Sequence, residues 1–301
     1  MRIAFAGTPE VAIPVLDAVL AAGYEVAFVI TREDAPAGRG RTLTPSPVAV
    51  AAQAHGLEVI KTSKLQDVAH QVSDVDAVVV VAFGAMVTKE LLELPRYGWI
   101  NLHFSLLPHW RGAAPVQHTI MAGDDVTGVT TFRIDEGLDT GDVLGQITTS
   151  VKRGETSGEL LTRLSHEGAQ LMVATLAGLA NGAIVPTPQP NQGVSYAPKI
   201  TKDDARIDWT MPALAIERRI RAMTPQPGAW TLCNGERLKV FPVQIDEVVK
   251  YLAPGEVQVH DGQLLVGTGS HVVALDQVQQ AGRSVVSALE WARNNAGVVL
   301  Q

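Results

Sequence analysis

Residues 77–82 read Ala-Val-Val-Val-Val-Ala, and this is the feature that most limits what the chain can fold into. A run this short with no polar alternation predicts a strand covered on both faces, which belongs in a sheet with helices above and below it. Four more short runs share the first 150 residues: Arg2–Ala6, Glu25–Ile30, Leu57–Lys61 and Trp99–Phe104, with Asp76–Phe83 enclosing the alanine and valine run. Amphipathic segments near 10–22, 46–55, 86–93 and 113–122 separate them. Such alternation reads as an α/β domain with a parallel sheet wrapped by helices. Thr127–Ile134 and Asp142–Thr149 are close enough across the polar turn Asp135–Gly141 to be antiparallel neighbours. A long helix fits Ser157–Leu179, where leucines recur at helical spacing before the stop signal Asn181-Gly182.

The rhythm then changes. Residues 186–204 hold four of the 17 prolines and no apolar period, as expected of an extended linker between domains 1–185 and 205–301. Beyond it, Asn234-Gly235 separates Ala229–Cys233 from Arg237–Val243, and Asp261-Gly262 separates Glu256–His260 from Gln263–Gly267. Both dipeptides are two-residue hairpin signals. With Val272–Val278 and helices near 212–222 and 286–294, the second domain is expected to be a small β-barrel of the OB type.

Composition excludes several classes. With 46% hydrophobic residues in 301, the chain is neither disordered nor too short for two cores. The longest uncharged apolar stretch, Ala77–Met86, falls short of a membrane span, and charge at Glu10 and Asp17 interrupts any secretory leader. One cysteine, Cys233, fits a reducing compartment, so a cytoplasmic protein is expected. The net charge of −7 argues, taken alone, against a nucleic-acid partner. Its distribution says otherwise: residues 205–301 hold nine basic and nine acidic side chains, so the whole acidic excess lies in 1–204. Any phosphate binding must then be local and sensitive to salt.

Three segments carry candidate chemistry. Asn101 and His103 lie two apart at the end of an apolar strand, so both face one side, and ligands of open parallel sheets bind beyond strand carboxyl ends. The irregular loop Ser105–Gly112 follows them. The turn Asp135-Glu136-Gly137-Leu138-Asp139-Thr140-Gly141-Asp142 concentrates four carboxylates; a solvated turn is the plain reading, and the pattern of a calcium loop is missing. The connection Thr31–Pro47 is long for a strand-to-helix loop, and Arg32, Arg39 and Arg41 make it locally basic. Gly7-Thr8-Pro9-Glu10 lacks the three spaced glycines of a dinucleotide site; Thr8 is expected to cap the first helix. No G-x-S-x-G occurs, and the histidines show no metal-ligand spacing.

Taken together, these motifs resemble the methionyl-tRNA formyltransferase family. The residues concerned are Phe5-Ala6-Gly7-Thr8-Pro9, Pro36-Ala37-Gly38-Arg39-Gly40, Pro45-Ser46-Pro47-Val48, Asn101-x-His103-x-Ser105-Leu106-Leu107-Pro108, Trp110-Arg111-Gly112-Ala113-Ala114-Pro115, Asp135-x-Gly137-Leu138-Asp139-Thr140-Gly141-Asp142, Arg206-Ile207-Asp208-Trp209 and Ala281-Gly282-Arg283. They run in order along nearly the whole chain. The resemblance implies a Rossmann-like, mostly parallel sheet of the formyltransferase type followed by an OB-like barrel that holds tRNA. It implies formyl transfer from 10-formyltetrahydrofolate, as co-substrate, to the amino group of methionyl initiator tRNA, by a cytoplasmic monomer with no metal and no membrane partner. By the family pattern the catalytic residues are Asn101, His103 and Asp139. Ser105, Leu106, Leu107 and Pro108 belong to the folate site, and Arg39 and Arg41 contact the tRNA. Spacing alone does not choose Asp139 over its neighbours.

The residue types suit that chemistry. Amine attack on a formyl carbon builds negative charge on oxygen, which Asn101 and a protonated His103 could stabilise, with the carboxylate raising the imidazole pKa and receiving the amine's proton directly or through water. Rival readings are a formyltransferase acting on glycinamide ribonucleotide or an amino sugar nucleotide, a non-catalytic tRNA-binding module, and a nicotinamide dehydrogenase.

Overall fold

The computed structural model describes all residues except 38–41, 248–251 and 296, and its contacts divide it into two units. The first comprises Met1–Pro115, Val126–Ser150 and Leu161–Ala197. Its seven-stranded sheet runs in the order Val59–Lys61, Glu25–Thr31, Arg2–Gly7, Ala77–Val81, Trp99–His103, Val126–Arg133, Val143–Ser150. Pairing is parallel as far as Trp99–His103 and antiparallel beyond it. Ala77–Val81 is buried at every position. Ala4, Ala6, Val78, Val80 and Trp99 pack in one cluster with Leu65, Val68 and Leu91, while Ile3, Phe5, Val79 and Val81, which alternate with them along the strands, are also fully buried. The predicted long helix is observed as Ser157–Ala180.

Four local expectations are corrected. Thr8 does not cap the first helix: Pro9 holds the cap position of a 3-10 turn, Glu10–Ala12, without a side-chain bond, and the α-helix begins at Ile13, just ahead of Pro14. The segment near 86–93 is helical only over Lys89–Leu92, since Thr88, at φ −74° and ψ 157°, is still extended and starts the helix as its cap. The long basic connection is not all loop, since Ala35–Ala37 and Thr42–Thr44 pair as an antiparallel ribbon. Arg39 and Arg41 lie outside the described residues.

The second unit gathers Val116–Asp125, Val151–Leu160 and Pro198–Gln301. Two four-stranded antiparallel sheets form it, ordered Trp230–Cys233, Glu236–Val240, Gln277–Gln280, Val286–Ser287 and Val243–Asp246, Val272–Leu275, Gln263–Gly267, Val257–His260. Both hairpins form at Asn234-Gly235 and Asp261-Gly262, with Asn234 and Asp261 at positive φ. The fourth correction is that Val272–Val278 is two strands in two sheets, divided at Asp276, whose carbonyl accepts from Ala288 N at 2.8 Å. The two sheets share a core of Trp209, Ile216, Ile220, Leu238, Val266, Val273, Val278 and Trp291. This strand-rich domain is consistent with an OB-like fold.

Candidate active site

The loop after Trp99–His103 is fixed by hydrogen bonds to the two antiparallel strands. Thr130 Oγ1 donates to Ser105 O at 2.7 Å and accepts from Leu107 N at 3.1 Å and Gln146 Nε2 at 3.0 Å. Gln146 Nε2 also donates to Leu107 O at 3.0 Å, and Ser105 Oγ donates to His109 O at 2.6 Å. One hydroxyl with its full complement of partners thus ties Ser105–Pro108 to the sheet. Ser105 and Leu107 are buried, and the Ser105 hydroxyl and carbonyl and the Leu107 N–H and carbonyl all bond within the protein, so the run is held as a rigid wall. Thr130 and Gln146 are not singled out by the sequence, where they read as ordinary strand residues.

His103 is 5% exposed. Its Nε2 lies 2.8 Å from Trp110 O, and because a carbonyl only accepts, Nε2 carries the hydrogen. The other nitrogen, Nδ1, faces Asp139 Oδ2 at 3.8 Å, too far for a direct hydrogen bond. Burial pushes the imidazole below its ordinary pKa, against the opposing pull of the Asp139 charge and the Trp110 carbonyl. The expectation of a raised imidazole pKa, and with it a protonated His103 in the resting site, is therefore corrected: desolvation outweighs the carboxylate. With Nε2 donating to Trp110 O, the unprotonated form that burial favours presents its lone pair at Nδ1.

The structure also separates three of the four carboxylates of the turn. Asp135 Oδ1 accepts from Gly137 N at 3.0 Å and Thr140 Oγ1 at 2.7 Å, closing the turn on itself. Glu136 pairs with Lys89 at 3.2 Å. Asp139 approaches His103; its backbone stands at φ 52°, and its Oδ2 accepts from Gly112 N at 2.7 Å. Gly141 allows the close return of the chain, since a Cβ there would lie 1.7 Å from Arg133 O. Asn101, half-buried, precedes His103 by two residues on the same strand.

A second segment missed as functional is 187–197, expected only as linker. Within the first unit, Thr187 pairs with Val143, and Ser195 Oγ accepts from Trp110 N at 2.9 Å. Arg111 N donates to Ser195 O at 2.9 Å, Ala197 N to Arg111 O at 2.7 Å, and Ala114 N to Ala197 O at 3.1 Å. The contact is close enough that Gly112, at φ 123°, has no room for a side chain: its Cβ would lie 2.6 Å from Ala197 O. A run of proline and glutamine gives little sign of such a strap.

Elsewhere, the arginines of the helix Ala213–Ala222 are held by protein acceptors. Arg221 binds Glu217 at 2.5 Å, Arg218 donates to Ala122 O and Arg219 to Asp204 O. Arg237 lies over the Trp230 ring at 4.0 Å. Among the described residues no group of three His, Cys, Asp or Glu could hold a metal ion, and no helix is long and apolar enough to cross a membrane.

Residues 1–176 match the formyl transferase family and residues 199–296 the formyl transferase C-terminal domain. A methionyl-tRNA formyltransferase of Arthrobacter sp. (strain FB24) is 52% identical over 307 residues, covering 100% of both chains. Two solved structures share the fold at 18% identity. An N-formyltransferase from Helicobacter canadensis, in complex with folinic acid and dTDP-3-aminofucose, matches with a TM-score of 0.70 over 93% of this chain and 99% of its own. HypX from Aquifex aeolicus, in complex with tetrahydrofolic acid, matches with a TM-score of 0.68 over 97% of this chain and 47% of its own. A fold shared with sugar and folate enzymes leaves the substrate open, but half-identity from end to end does not leave the family open: the chain belongs to the methionyl-tRNA formyltransferases.

Proposed function

We propose that this chain transfers the formyl group of 10-formyltetrahydrofolate to the amino group of methionyl initiator tRNA, as a monomer in the cytoplasm, with catalysis in residues 1–185 braced by the strap 187–197, and with tRNA held by 205–301. The observation that carries the reading is the buried His103 at the strand end, two residues after Asn101, with Nδ1 facing Asp139 Oδ2 at 3.8 Å. The co-substrate supplies an electrophilic formyl carbon. Everything else falls to the chain. The wall Ser105–Leu106–Leu107–Pro108 holds the folate by shape, the Ser105 hydroxyl and the Leu107 N–H and carbonyl being already engaged. As the methionyl nitrogen bonds to the formyl carbon, the Asn101 amide donates to the formyl oxygen where charge accumulates. The nitrogen's proton passes to His103 Nδ1, directly or through water, and Asp139 stabilises the imidazolium so formed. That proton then leaves with the folate N10 as the carbon–nitrogen bond to it breaks. His103 thus serves first as base and then as acid.

The experiment offers 10-formyltetrahydrofolate with methionyl initiator tRNA, elongator tRNA, glycinamide ribonucleotide and an amino sugar nucleotide. Transfer to initiator tRNA alone is expected; preference for either small amine overturns the reading. We assign Arg39 and Arg41 to tRNA contact on the family pattern. Arg39→Ala is expected to raise the KM for tRNA and leave folate affinity unchanged, with tRNA binding weakening as salt rises. An equal loss of folate affinity would make the loop a structural element instead.

A further inference from the structure

We infer that Gln189 is a positioning residue for formyl transfer: its side-chain amide holds the Asp139 turn so that the carboxylate faces His103 Nδ1. This rests on the reading that Asp139 acts through His103. Gln189 Nε2 donates to Asp139 O at 2.9 Å and to Gly141 O at 2.8 Å, while Oε1 accepts from Arg111 Nε at 3.1 Å and Nη2 at 2.6 Å. Both amide hydrogens and the carbonyl oxygen are committed. The orientation of the amide is forced, because a guanidinium only donates and a backbone carbonyl only accepts.

These contacts close a ring. Arg111 is buried, and the next residue, Gly112, gives its N–H to Asp139 Oδ2 at 2.7 Å. Asp139 is thus gripped at its carbonyl by Gln189 and at its carboxylate by Gly112, while Gln189 steadies the arginine that precedes Gly112. Asp139 needs such a grip because its φ of 52° is unfavourable for a residue with a side chain and persists only where its surroundings hold it. A carboxylate 3.8 Å from Nδ1 is also sensitive to small rotations of its turn. The effect of Gln189 on the reaction runs through Asp139, whose turn it holds.

Gln189→Glu separates the two halves of the ring: it keeps an acceptor for Arg111 and removes both donors to the turn. In single-turnover transfer to methionyl initiator tRNA, this variant is expected to lose about 10- to 100-fold in rate with both KM values within about twofold. Its acid limb is expected to move to lower pH, since a displaced Asp139 no longer raises the imidazole pKa. In an Asp139→Asn background the same change is expected to cost less than about twofold, because the group it positions is already gone. Gln189→Met, of similar volume, serves if the glutamate variant does not fold. Full activity of the Gln189 variants beside an impaired Asp139→Asn sinks this inference alone, as do losses that multiply in the double variant. Near-normal turnover of Asp139→Asn sinks the underlying reading.

Discussion

Asp139→Asn is expected to lower the rate of formyl transfer by about 10²- to 10³-fold while the KM for the folate co-substrate changes by less than about twofold. The reason is electrostatic. His103 is buried and neutral at rest, so the proton it takes from the amine creates a cation in surroundings that disfavour one. The charge that compensates is Asp139, 3.8 Å from Nδ1. Opposite charges about 4 Å apart interact by about 4 kcal/mol at an effective dielectric of about 20, enough for the upper end of the range. Asparagine keeps the size and an oxygen for the Gly112 N–H but removes the charge, so the change isolates the field from the packing. Single-turnover rates together with folate titrations check it, and a rate within about threefold of the parent would remove Asp139 from the chemistry.

Asn101→Ala is expected to cost about 10²- to 10³-fold in the same step, the usual loss for one fixed donor at a developing oxyanion. With His103 neutral and its Nε2 hydrogen committed to Trp110 O, the imidazole does not share the oxyanion's charge at the start of attack. Asn101 then carries more of that duty than it would beside a protonated histidine. Asn101→Asp should be impaired at least as much, because it sets negative charge where negative charge forms. A loss falling in KM with the rate constant preserved would assign Asn101 to ground-state binding instead.

Much of the fold was legible in the sequence because burial leaves a periodic trace. Ala77–Val81 is covered on both faces and reads so; the leucines of Ser157–Ala180 recur at helical spacing; Asn234-Gly235 and Asp261-Gly262 mark their turns by chemistry. What escaped has no such trace. Ala35–Ala37 is too short and contains a proline, and the change of sheet at Asp276 is marked only by a one-residue slip in phase, from buried Val273 and Leu275 to buried Val278. Of the site, Asn101 and His103 were legible as polar residues ending an apolar strand. Asp139 stood out from Asp135 and Glu136 only through the family resemblance, and in the structure its geometry separates it from both. The net direction of the His103 shift was not legible, because a neighbouring carboxylate, which does pull the pKa up, can be inferred from sequence, whereas the burial that outweighs it depends on contacts from across the chain. Thr130, Gln146, Gln189 and Ser195 act through partners distant in sequence, and nothing local sets them apart.

The central claim is that a neutral, buried His103 is the base for formyl transfer, and the single-turnover rate measured against pH with 10-formyltetrahydrofolate and methionyl initiator tRNA tests it most directly. The imidazole must be unprotonated to act, and burial lowers its pKa beneath the ordinary value of about 6.5. The methionyl α-amine, ordinarily about 7.7, gives the rate an acid limb of its own, and the imidazole should add a second, steeper decline only below about 6.5, which shifts further down in Asp139→Asn. A rate that climbs on acidification, once protonation of the amine is allowed for, would show that the protonated imidazole does the work, and an imidazole limb above about 6.5 would show that the carboxylate and not burial sets its pKa; either result contradicts the account.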